Sequence, residues 1–323
     1  MANLTLLDIV KVNGCDKVIG IVEEVVQVVP EINIFTGRSI KGTSFKTLVR
    51  TGVPKIGFRK PNNGTSTGKS TYINRTVDCA LIDGRIEIDK AGVADVDEDG
   101  PEVCKARQAV GYMQGAFGTF ASQIWYGTKS DKDGFQGAAE IVRDDMWLGN
   151  LAAGLSANTG SSIFAVRINP LTACGLVFGA NGQGLLGQEM AWRIGDIVGE
   201  NSQKLTGYIA DMPTWLGLSA VNSYSITRYD NLTADANKGN TDKVMSKVFN
   251  NFVEKNGGLT PTHFFMSFRS RTQLQDSRSV VLSGQGRTRP DQETTAPMPT
   301  SYEGVPIIAS TAIVNTEAIT ARA

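Results

Sequence analysis

The segment PEVCKARQAVGYMQGAFGTFASQIWY, residues 101–126, decides the fold because it is the most regular stretch of the sequence. Its apolar residues recur at alternating spacings of three and four, which predicts one amphipathic helix, about 39 Å long. The predicted apolar stripe consists of Val103, Ala106, Val110, Met113, Phe117, Phe120 and Ile124. Pro101 suits the first helical position, the acidic run before it complements the helix dipole, and Gly127 is a suitable stop.

A second face of this predicted helix carries three glycines, Gly111, Gly115 and Gly118. Glycine has no Cβ, so another backbone or a bulky side chain can approach this face closely. We therefore expect the helix to offer one apolar face and one face that is open to a close neighbour.

Residues 39–75, which precede the helix, combine β-prone pieces with frequent glycines and little apolar content. Their basic residues are dense, namely Lys41, Lys46, Arg50, Lys55, Arg59, Lys60, Lys69 and Arg75. Short strands with many turns predict an extended two-stranded excursion that cannot bury a core by itself. Two interpretations stay open: a solvated loop, and an arm that lies on a neighbouring subunit.

Asp83-Gly84 separates two strand-like pieces, residues 77–82 and 85–88. Aspartate followed by glycine is typical of a tight type I′ turn, in which both central residues have positive φ. The pattern therefore predicts a β-hairpin just before the acidic run and the long helix.

The chain after the helix predicts an α/β unit with short strands over residues 128–230, including a glycine-rich stretch at 179–199. A strand at 263–268 and a polar, arginine-rich loop are predicted further on. The arginines of that loop are Arg269, Arg271, Arg278, Arg287 and Arg289. Contacts to phosphate backbones and salt links to a neighbouring subunit are both open for them.

A second amphipathic helix is predicted between these segments. Asn240 or Thr241 can cap its start, and Val244, Val248 and Phe252 share one face. Glycines at positions 257 and 258 are expected to end it.

The composition of the 323-residue chain narrows its function. Lys+Arg and Asp+Glu both number 32, so a net formal charge of zero gives no bulk attraction to nucleic acid or to an anionic membrane. No apolar run approaches the ~18 residues of a membrane span, and the first residues lack the features of a signal peptide. Four scattered cysteines without a C-x-x-C pair predict reduced thiols made in a cytoplasm.

Motifs that would indicate chemistry are incomplete. Residues 63–70, NGTSTGKS, nearly match the phosphate loop G-x-x-x-x-G-K-[ST], but asparagine replaces the first glycine and a β-prone segment follows. Residues 182–187 match G-x-G-x-x-G without a βαβ unit, which favours a flexible loop. The single histidine, His263, lies in an apolar stretch and is predicted to be structural. Acids such as those at residues 97–99 and 144–145 are typical of helix starts and solvated faces, so we expect no catalytic, cofactor-binding or metal-binding residues.

The order of these features resembles the major capsid proteins of tailed bacteriophages, which share the Hong-Kong-97 fold with encapsulin shells. Three stretches carry the resemblance: Gly115–Gly127 with Gly134–Gly137, Trp215–Leu218 with Ile226–Leu232, and Tyr302–Ile308 with Thr316-Glu317. They span the chain from about residue 100 to its end.

The resemblance implies an α+β fold with five segments. These are an N-terminal arm at 1–30, an extended E-loop at 31–76, a first peripheral part at 77–137 with its spine helix at 101–126, an axial domain at 138–230, and a peripheral return segment at 231–323. The 179–199 loop would lie near the five- and sixfold axes.

The implied function is structural. Copies would assemble through pentamers and hexamers into an icosahedral head that encloses double-stranded DNA without sequence-specific binding or a membrane. The resemblance further implies a virion protein, made in the host cytoplasm, with a separate scaffold protein, a portal and a possible decoration protein. The candidate interface residues are Lys41, Arg50, Lys55, Arg59, Lys60, Lys69, Gly182, Gly184, Gly187, Arg269, Arg271 and Arg278.

Three alternatives belong beside this interpretation. An encapsulin-like shell has the same fold and holds proteins instead of DNA. A nucleotide-binding enzyme would use residues 63–70, and its ATP binding would depend on Lys69. A tail or adhesion protein should show repeats or β-rich trimeric patterning, which the sequence lacks.

Overall fold

The computed structural model describes residues 29–182, 191–198, 202–235, 237–284 and 296–320. Its helices are α1 Glu31–Ile34, α2 Pro101–Tyr126, α3 Ala138–Ile141, α4 Asp242–Lys255 and α5 Phe268–Gly284. Its strands are β1 Gly37–Ser39, β2 Ser44–Gly52, β3 Thr71–Asp78, β4 Ala80–Ile82, β5 Arg85–Asp89, β6 Trp147–Gly149, β7 Ser161–Val166, β8 Cys174–Phe178, β9 Arg193–Val198, β10 Lys204–Asp211, β11 Thr214–Ala220, β12 Ile226–Leu232, β13 His263–Met266, β14 Ser301–Tyr302 and β15 Val305–Ala309. Residues 1–28 of the predicted arm, Gly184, Gly187, Arg287 and Arg289 lie outside the described residues.

Strands within the described ranges form four sheets. A four-stranded sheet has the order β1-β8-β11-β4, and a six-stranded sheet has the order β14-β15-β13-β7-β12-β6. A three-stranded sheet has the order β5-β10-β9, and β2 pairs with β3 alone. Helix α2 packs between the two larger sheets, because its buried residues share one apolar cluster with both of them.

Helix α2 has the predicted bounds, Pro101–Tyr126. Gly127 ends it with φ at 59°, and its amide donates to the carbonyl of Gln123. The predicted apolar stripe is buried only towards the C-terminal end: Phe120 and Ile124 are buried, whereas Val103 is 45% and Val110 is 53% exposed. The predicted helix is therefore confirmed, but only two of the seven residues of its predicted apolar stripe are buried.

The core is built around Trp125, which is fully buried on the last turn of α2. Its ring lies 4.8 Å from the rings of both Phe164 on β7 and Phe265 on β13, measured between centroids. The indole nitrogen donates to a carboxylate oxygen of Glu31 at 2.7 Å. Helix α4 covers the six-stranded sheet, and its start is capped by Thr241 as predicted.

The predicted hairpin around Asp83-Gly84 is wrong. Strand β4 pairs with β11, and β5 pairs with β10 of a different sheet. Neither Asp83 nor Gly84 has the positive φ that a type I′ turn needs. The alternative pairing buries Ile86 and Ile88 completely in a cluster below the start of α2, which a two-stranded hairpin could not do.

The predicted arginine-rich loop after the 263–268 strand is also wrong, because α5 begins at Phe268. Ser267 lies just before it, and its hydroxyl accepts from the amide of Ser270 at 3.2 Å, as an N-cap does. Among the residues with described side chains, Leu274 is the one large apolar residue that α5 buries fully. Because α5 is so polar, its sequence lacks the apolar periodicity from which a helix is predicted.

The predicted boundary at residue 230 falls inside β12, Ile226–Leu232. The six-stranded sheet combines β6, β7 and β12 from the predicted axial segment with β13, β14 and β15 from the return segment. Two further strands of the axial segment, β8 and β11, pair with β1 and β4 instead. The sheets therefore group the chain differently from the five predicted segments.

Candidate assembly surfaces

Strands β2 and β3 form a projecting two-stranded hairpin, as predicted. Their antiparallel register runs from Ser44 opposite Asp78 to Gly52 opposite Thr71. Nine residues at ~3.3 Å each make β2 about 30 Å long. We call residues 44–78 the hairpin and its connection, residues 53–70, which has no regular structure, the tip. An isolated two-stranded hairpin is marginal in water, so this element needs support.

Arg75 anchors the hairpin to the body of the subunit. Its guanidinium donates to the carbonyls of Ala220 at 2.8 Å and Val221 at 3.2 Å, and to the hydroxyl of Ser223. Ala220 is the last residue of β11 and the other two partners follow it, so the root of the hairpin is fixed to the four-stranded sheet. The root is held while the tip extends into solvent.

The tip exposes apolar side chains to solvent. Val53 is 73% exposed, Ile56 is 93% exposed and Phe58 is fully exposed. Burial of apolar surface is worth roughly 25 cal/mol per Å², so a second surface that covers these side chains would gain free energy. Several exposed apolar side chains within one short segment make the tip a candidate interaction site.

The hairpin is also strongly basic. Residues 40–77 hold eight of the chain's 32 basic residues and none of its 32 acidic residues, so this segment carries +8 and the rest of the chain −8. The six predicted interface residues of this region, Lys41, Arg50, Lys55, Arg59, Lys60 and Lys69, are all exposed. The net charge of zero is therefore the sum of a positive segment, residues 40–77, and a negative remainder of the chain.

A groove lies beside the glycine face of α2. It has a volume of about 670 Å³ and lies between α2, strand β4 and the turn at residues 131–135. A Cβ added at Gly111 or Gly115 would meet no atom within 4 Å, so the predicted open face has no neighbour within the described chain.

Two of the three predicted interface arginines of α5, Arg269 and Arg278, bind inside the chain. Arg269 donates to the carbonyls of Thr159 and Leu232, both at 3.0 Å. Arg278 is paired with Asp242, with nitrogen–oxygen distances of 2.8 and 3.1 Å. Arg271 is partly buried on the same helix. These three residues lie on a different element from the hairpin arginines, and their interface role stays a prediction.

Of the three glycines predicted as interface candidates, Gly182 is the one that lies within the described residues. Its φ is 72°, and an added Cβ would lie 2.4 Å from the hydroxyl of Ser39. Both observations give it a role inside the subunit.

A buried polar network that the sequence analysis missed fastens the C-terminal segment. The Glu317 carboxylate accepts from Arg228 at 2.8 Å, from Ser162 at 2.6 Å and from the Tyr126 hydroxyl at 2.7 Å. Burial, and then the adjacent Glu317 carboxylate, raise the pKa of Tyr126 well above its usual range. Arg228 and Glu317 are 89 residues apart, and no local pattern could have joined them.

Motifs that suggested chemistry lie in unsuitable places. Residues 63–70 belong to the exposed tip and are followed by β3, where a phosphate loop needs a helix. His263 lies on β13, and partial burial lowers its pKa. Across the described ranges there is no group of three or more side chains suited to hold a metal ion. No helix in those ranges is both long enough and apolar enough to span a membrane.

Comparisons with known proteins agree with this architecture. A family model described as "Major capsid protein GP7" matches residues 13–321. A solved structure of bacteriophage Epsilon15 is similar over 98% of this chain and 97% of that chain, with 17% identity and a TM-score of 0.68. The bacteriophage JBD30 capsid is similar over 89% of this chain and 91% of that chain, with 11% identity and a TM-score of 0.51. No curated protein sequence matches.

A long helix flanked by mixed sheets, with a projecting hairpin, therefore defines a capsid subunit of the Hong-Kong-97 type, and the predicted α+β fold is confirmed. The chain belongs to the major capsid protein GP7 family. It is a structural subunit of an icosahedral tailed-phage capsid and forms part of the virion shell, which answers the encapsulin alternative.

Proposed function

We propose that copies of this chain assemble through pentamers and hexamers into the closed phage head. One observation carries the proposal: residues 40–77, which include nearly the whole hairpin, carry +8 and expose apolar side chains at the tip, while the rest of the chain carries −8. Opposite charges on one chain favour association between copies, because the positive hairpin of one molecule is complementary to the negative body of the next. A repeated contact of this kind generates a ring when its rotation closes.

In this proposal the subunit is divided into a peripheral and an axial part according to its sheets. The predicted domain boundary at residue 230 is not used, because it falls inside β12. One unit contains α2 with β1, β4, β8 and β11, and the other contains the six-stranded sheet with α4 and α5. The shared strand pairings within each sheet support this grouping.

In this proposal the shell encloses double-stranded DNA without sequence-specific binding. The chain carries no net charge that would attract a polyanion. A separate scaffold protein, a portal and a decoration protein complete the assembly. The capsid of bacteriophage JBD30, which is similar to this chain with a TM-score of 0.51, is decorated with minor capsid protein trimers.

A role without catalysis completes the proposal. Cys79, Cys104 and Cys174 are buried free thiols, which suits a protein made in a reducing host cytoplasm. Burial raises the pKa of Cys174 to about 12, so this thiol is a poor nucleophile at neutral pH. Measurable ATP binding that disappears in Lys69→Ala would instead support the nucleotide-binding alternative.

Negative-stain microscopy of the purified full chain tests the assembly. We expect rings of five or six subunits, or closed shells, at low ionic strength. Higher salt should shift assembly to higher protein concentrations, because salt screens the attraction between the hairpin of one copy and the body of the next. A monomer that persists at high protein concentration, with and without a co-expressed scaffold protein, would overturn the proposal.

A further inference from the structure

We propose that the tip carries a self-modification site at Asn63-Gly64, where the backbone amide nitrogen of Gly64 displaces ammonia from the Asn63 side chain with the help of Arg59. All three residues are exposed in the connection between β2 and β3. The inference goes beyond the proposed assembly and does not depend on it, because every group that reacts lies within one copy of the chain.

A tight turn at residues 60–63 builds the site. The amide of Asn63 donates to the carbonyl of Lys60 at 3.2 Å. Pro61 occupies the second position of this turn, and Asn62 occupies the third with φ at 68°, which is typical of a type II turn. The turn fixes the backbone up to Asn63 and ends just before Gly64.

Arg59 contacts the peptide group that reacts. Its guanidinium donates to the carbonyl oxygen of Asn63 at 2.8 Å. This oxygen and the amide nitrogen of Gly64 belong to one conjugated peptide group, so negative charge on the nitrogen is shared with the oxygen. A cationic donor at the oxygen therefore stabilises the deprotonated peptide, which is the form that attacks.

The reaction consumes one water molecule and releases one ammonia molecule. Hydroxide removes the amide proton of Gly64, and the nitrogen forms a bond to Cγ of Asn63. The bond between Cγ and Nδ2 breaks, and ammonia leaves with a proton from water, which regenerates hydroxide. Water then opens either carbonyl of the resulting five-membered succinimide, so an aspartyl or isoaspartyl residue remains at position 63.

The product changes the charge of the hairpin. One new carboxylate lowers the charge of residues 40–77 from +8 to +7 and introduces an acid into a segment that contains none. The modification therefore reduces the charge difference between the hairpin and the rest of the chain.

Two further Asn-Gly pairs within the described ranges serve as internal comparisons, and Asn181-Gly182 is the first. The amide of Gly182, which would have to attack, already donates to the carbonyl of Gly179 at 2.9 Å. A Cβ on Gly182 would lie 2.4 Å from the hydroxyl of Ser39, so this backbone is tightly packed. The attacking nitrogen is thus held in place.

At the second pair, Asn256-Gly257, the side chain is held instead. Its amide nitrogen donates to the carbonyls of Tyr224 at 2.7 Å and Phe252 at 2.9 Å. Both hydrogen bonds must break before Cγ of Asn256 can reach the next backbone nitrogen.

Neither restraint exists at the tip. Within the described part of the chain, the Asn63 side chain and the Gly64 amide have no hydrogen-bond partner. A Cβ on Gly64 would meet no atom within 4 Å. The folded chain therefore leaves this pair free to react and protects the other two.

Mass spectrometry of the full-length chain tests the site. The protein is incubated in mildly alkaline buffer and cleaved with pepsin in acid, so that digestion itself causes little deamidation. We expect conversion at Asn63 to be faster than at Asn181 or Asn256 by about tenfold or more, because the latter two react only after local opening. In the chain unfolded in urea, the three rates should converge. Equal rates in the folded chain, or no conversion at Asn63, would overturn the proposal.

Matched variants separate the contact of Arg59 from its charge. Arg59→Gln removes the donor to the Asn63 carbonyl, whereas Lys60→Gln removes an equal charge from an exposed neighbour. A buried oxyanion donor contributes roughly 100-fold or more to a rate, so we expect about tenfold slower conversion when this exposed donor is lost. Lys60→Gln should react like the parent chain, and equal rates in the two variants would refute activation by Arg59.

Gly64→Ala tests the identity of the attacking nitrogen. The added methyl group has open space around it, so the fold should be retained, but it hinders the approach of the nitrogen to Cγ. Conversion at Asn63 should fall clearly in this variant, while conversion at Asn181 and Asn256 stays as in the parent. An unchanged rate at Asn63 would show that the Gly64 nitrogen does not attack and would overturn the proposal.

Discussion

The hairpin and the core around Trp125 use apolar side chains in opposite ways. Phe58 at the tip is fully exposed, whereas Trp125, Phe164 and Phe265 are completely buried against one another. The hairpin touches the body through its root at Arg75, while the core joins α2 to both large sheets. One chain therefore contains apolar groups that are buried within the subunit and apolar groups that are exposed on it, and we propose that the exposed ones contact neighbouring copies.

This difference separates stability from assembly. Substitutions in the core should lower the free energy of unfolding of the isolated subunit, because they remove contacts that exist within one chain. Substitutions at the tip should leave that free energy unchanged and act when copies meet. Each prediction below measures how sharp this separation is.

Trp125→Ala should have the largest effect on the isolated subunit. The change removes ring contacts to Phe164 and Phe265 and the hydrogen bond to Glu31. Loss of a buried aromatic side chain of this size costs about 3–5 kcal/mol. Chemical unfolding followed by fluorescence or circular dichroism measures it. Trp192→Ala, at a partly buried position, is the control and should cost clearly less.

Arg228→Met comes next, because it leaves the Glu317 carboxylate buried without its cation. Arg228 is 4% and Glu317 is 8% exposed. Breaking a buried ion pair from one side costs about 3–5 kcal/mol, and removing both charges recovers part of it. We therefore expect Arg228→Met to be less stable than the double variant Arg228→Met/Glu317→Gln in urea unfolding. Strictly additive losses would show that the pair is not coupled.

The elements that the sequence predicted well are those defined by local patterns. Helix α2 was predictable to the residue, because its periodicity, Pro101 and Gly127 are all written in one segment. The hairpin was predictable from β-prone pieces, glycines and an unbroken run of positive charge. The open glycine face of α2 was predictable from the spacing of its glycines. Both candidate assembly surfaces, the hairpin and this face, could therefore be predicted from the sequence.

Long-range pairings were not predictable. Asp83-Gly84 has the local signature of a tight turn, yet β4 and β5 gain more buried surface by pairing with β11 and β10. Helix α5 lacks a strong apolar face, so its arginines suggested a loop. The network around Glu317 joins residues that are distant in sequence. In each case the deciding free energy comes from partners that no local window contains.

Glu31→Gln should change how stability depends on pH. Burial is the main cause that raises the pKa of Glu31 above its usual value of 4.5. Between that value and the raised pKa, the folded chain binds more protons than the unfolded chain, so stability falls as pH rises through this window. Glutamine keeps an oxygen for the Trp125 indole but cannot ionise. Urea midpoints measured from pH 4 upwards should show a growing advantage for the variant, and identical pH slopes would contradict the prediction.

Thr241→Ala should have a smaller effect, confined to the start of α4. The Thr241 hydroxyl accepts from the amide of Val244 at 3.4 Å, and its loss leaves that donor without its cap. Removal of an N-cap side chain costs about 1 kcal/mol. Thr241→Ser retains the hydroxyl and serves as the control, so equal unfolding midpoints for the two variants would argue against capping.

Leu48→Ala should have the smallest effect on the isolated subunit. Leu48 lies on β2 and is 66% exposed, whereas Leu216 on β11 is 4% exposed. The same substitution at Leu216 removes buried methyl groups and should cost about 2–5 kcal/mol. At Leu48 the side chain is already in water, so the expected change is within ~0.5 kcal/mol. Unfolding curves of the two variants, measured in parallel, decide the comparison. If Leu48→Ala lowers the free energy of unfolding as much as Leu216→Ala does, the hairpin belongs to the subunit's own core. Its apolar surface could then no longer be assigned to contacts between copies.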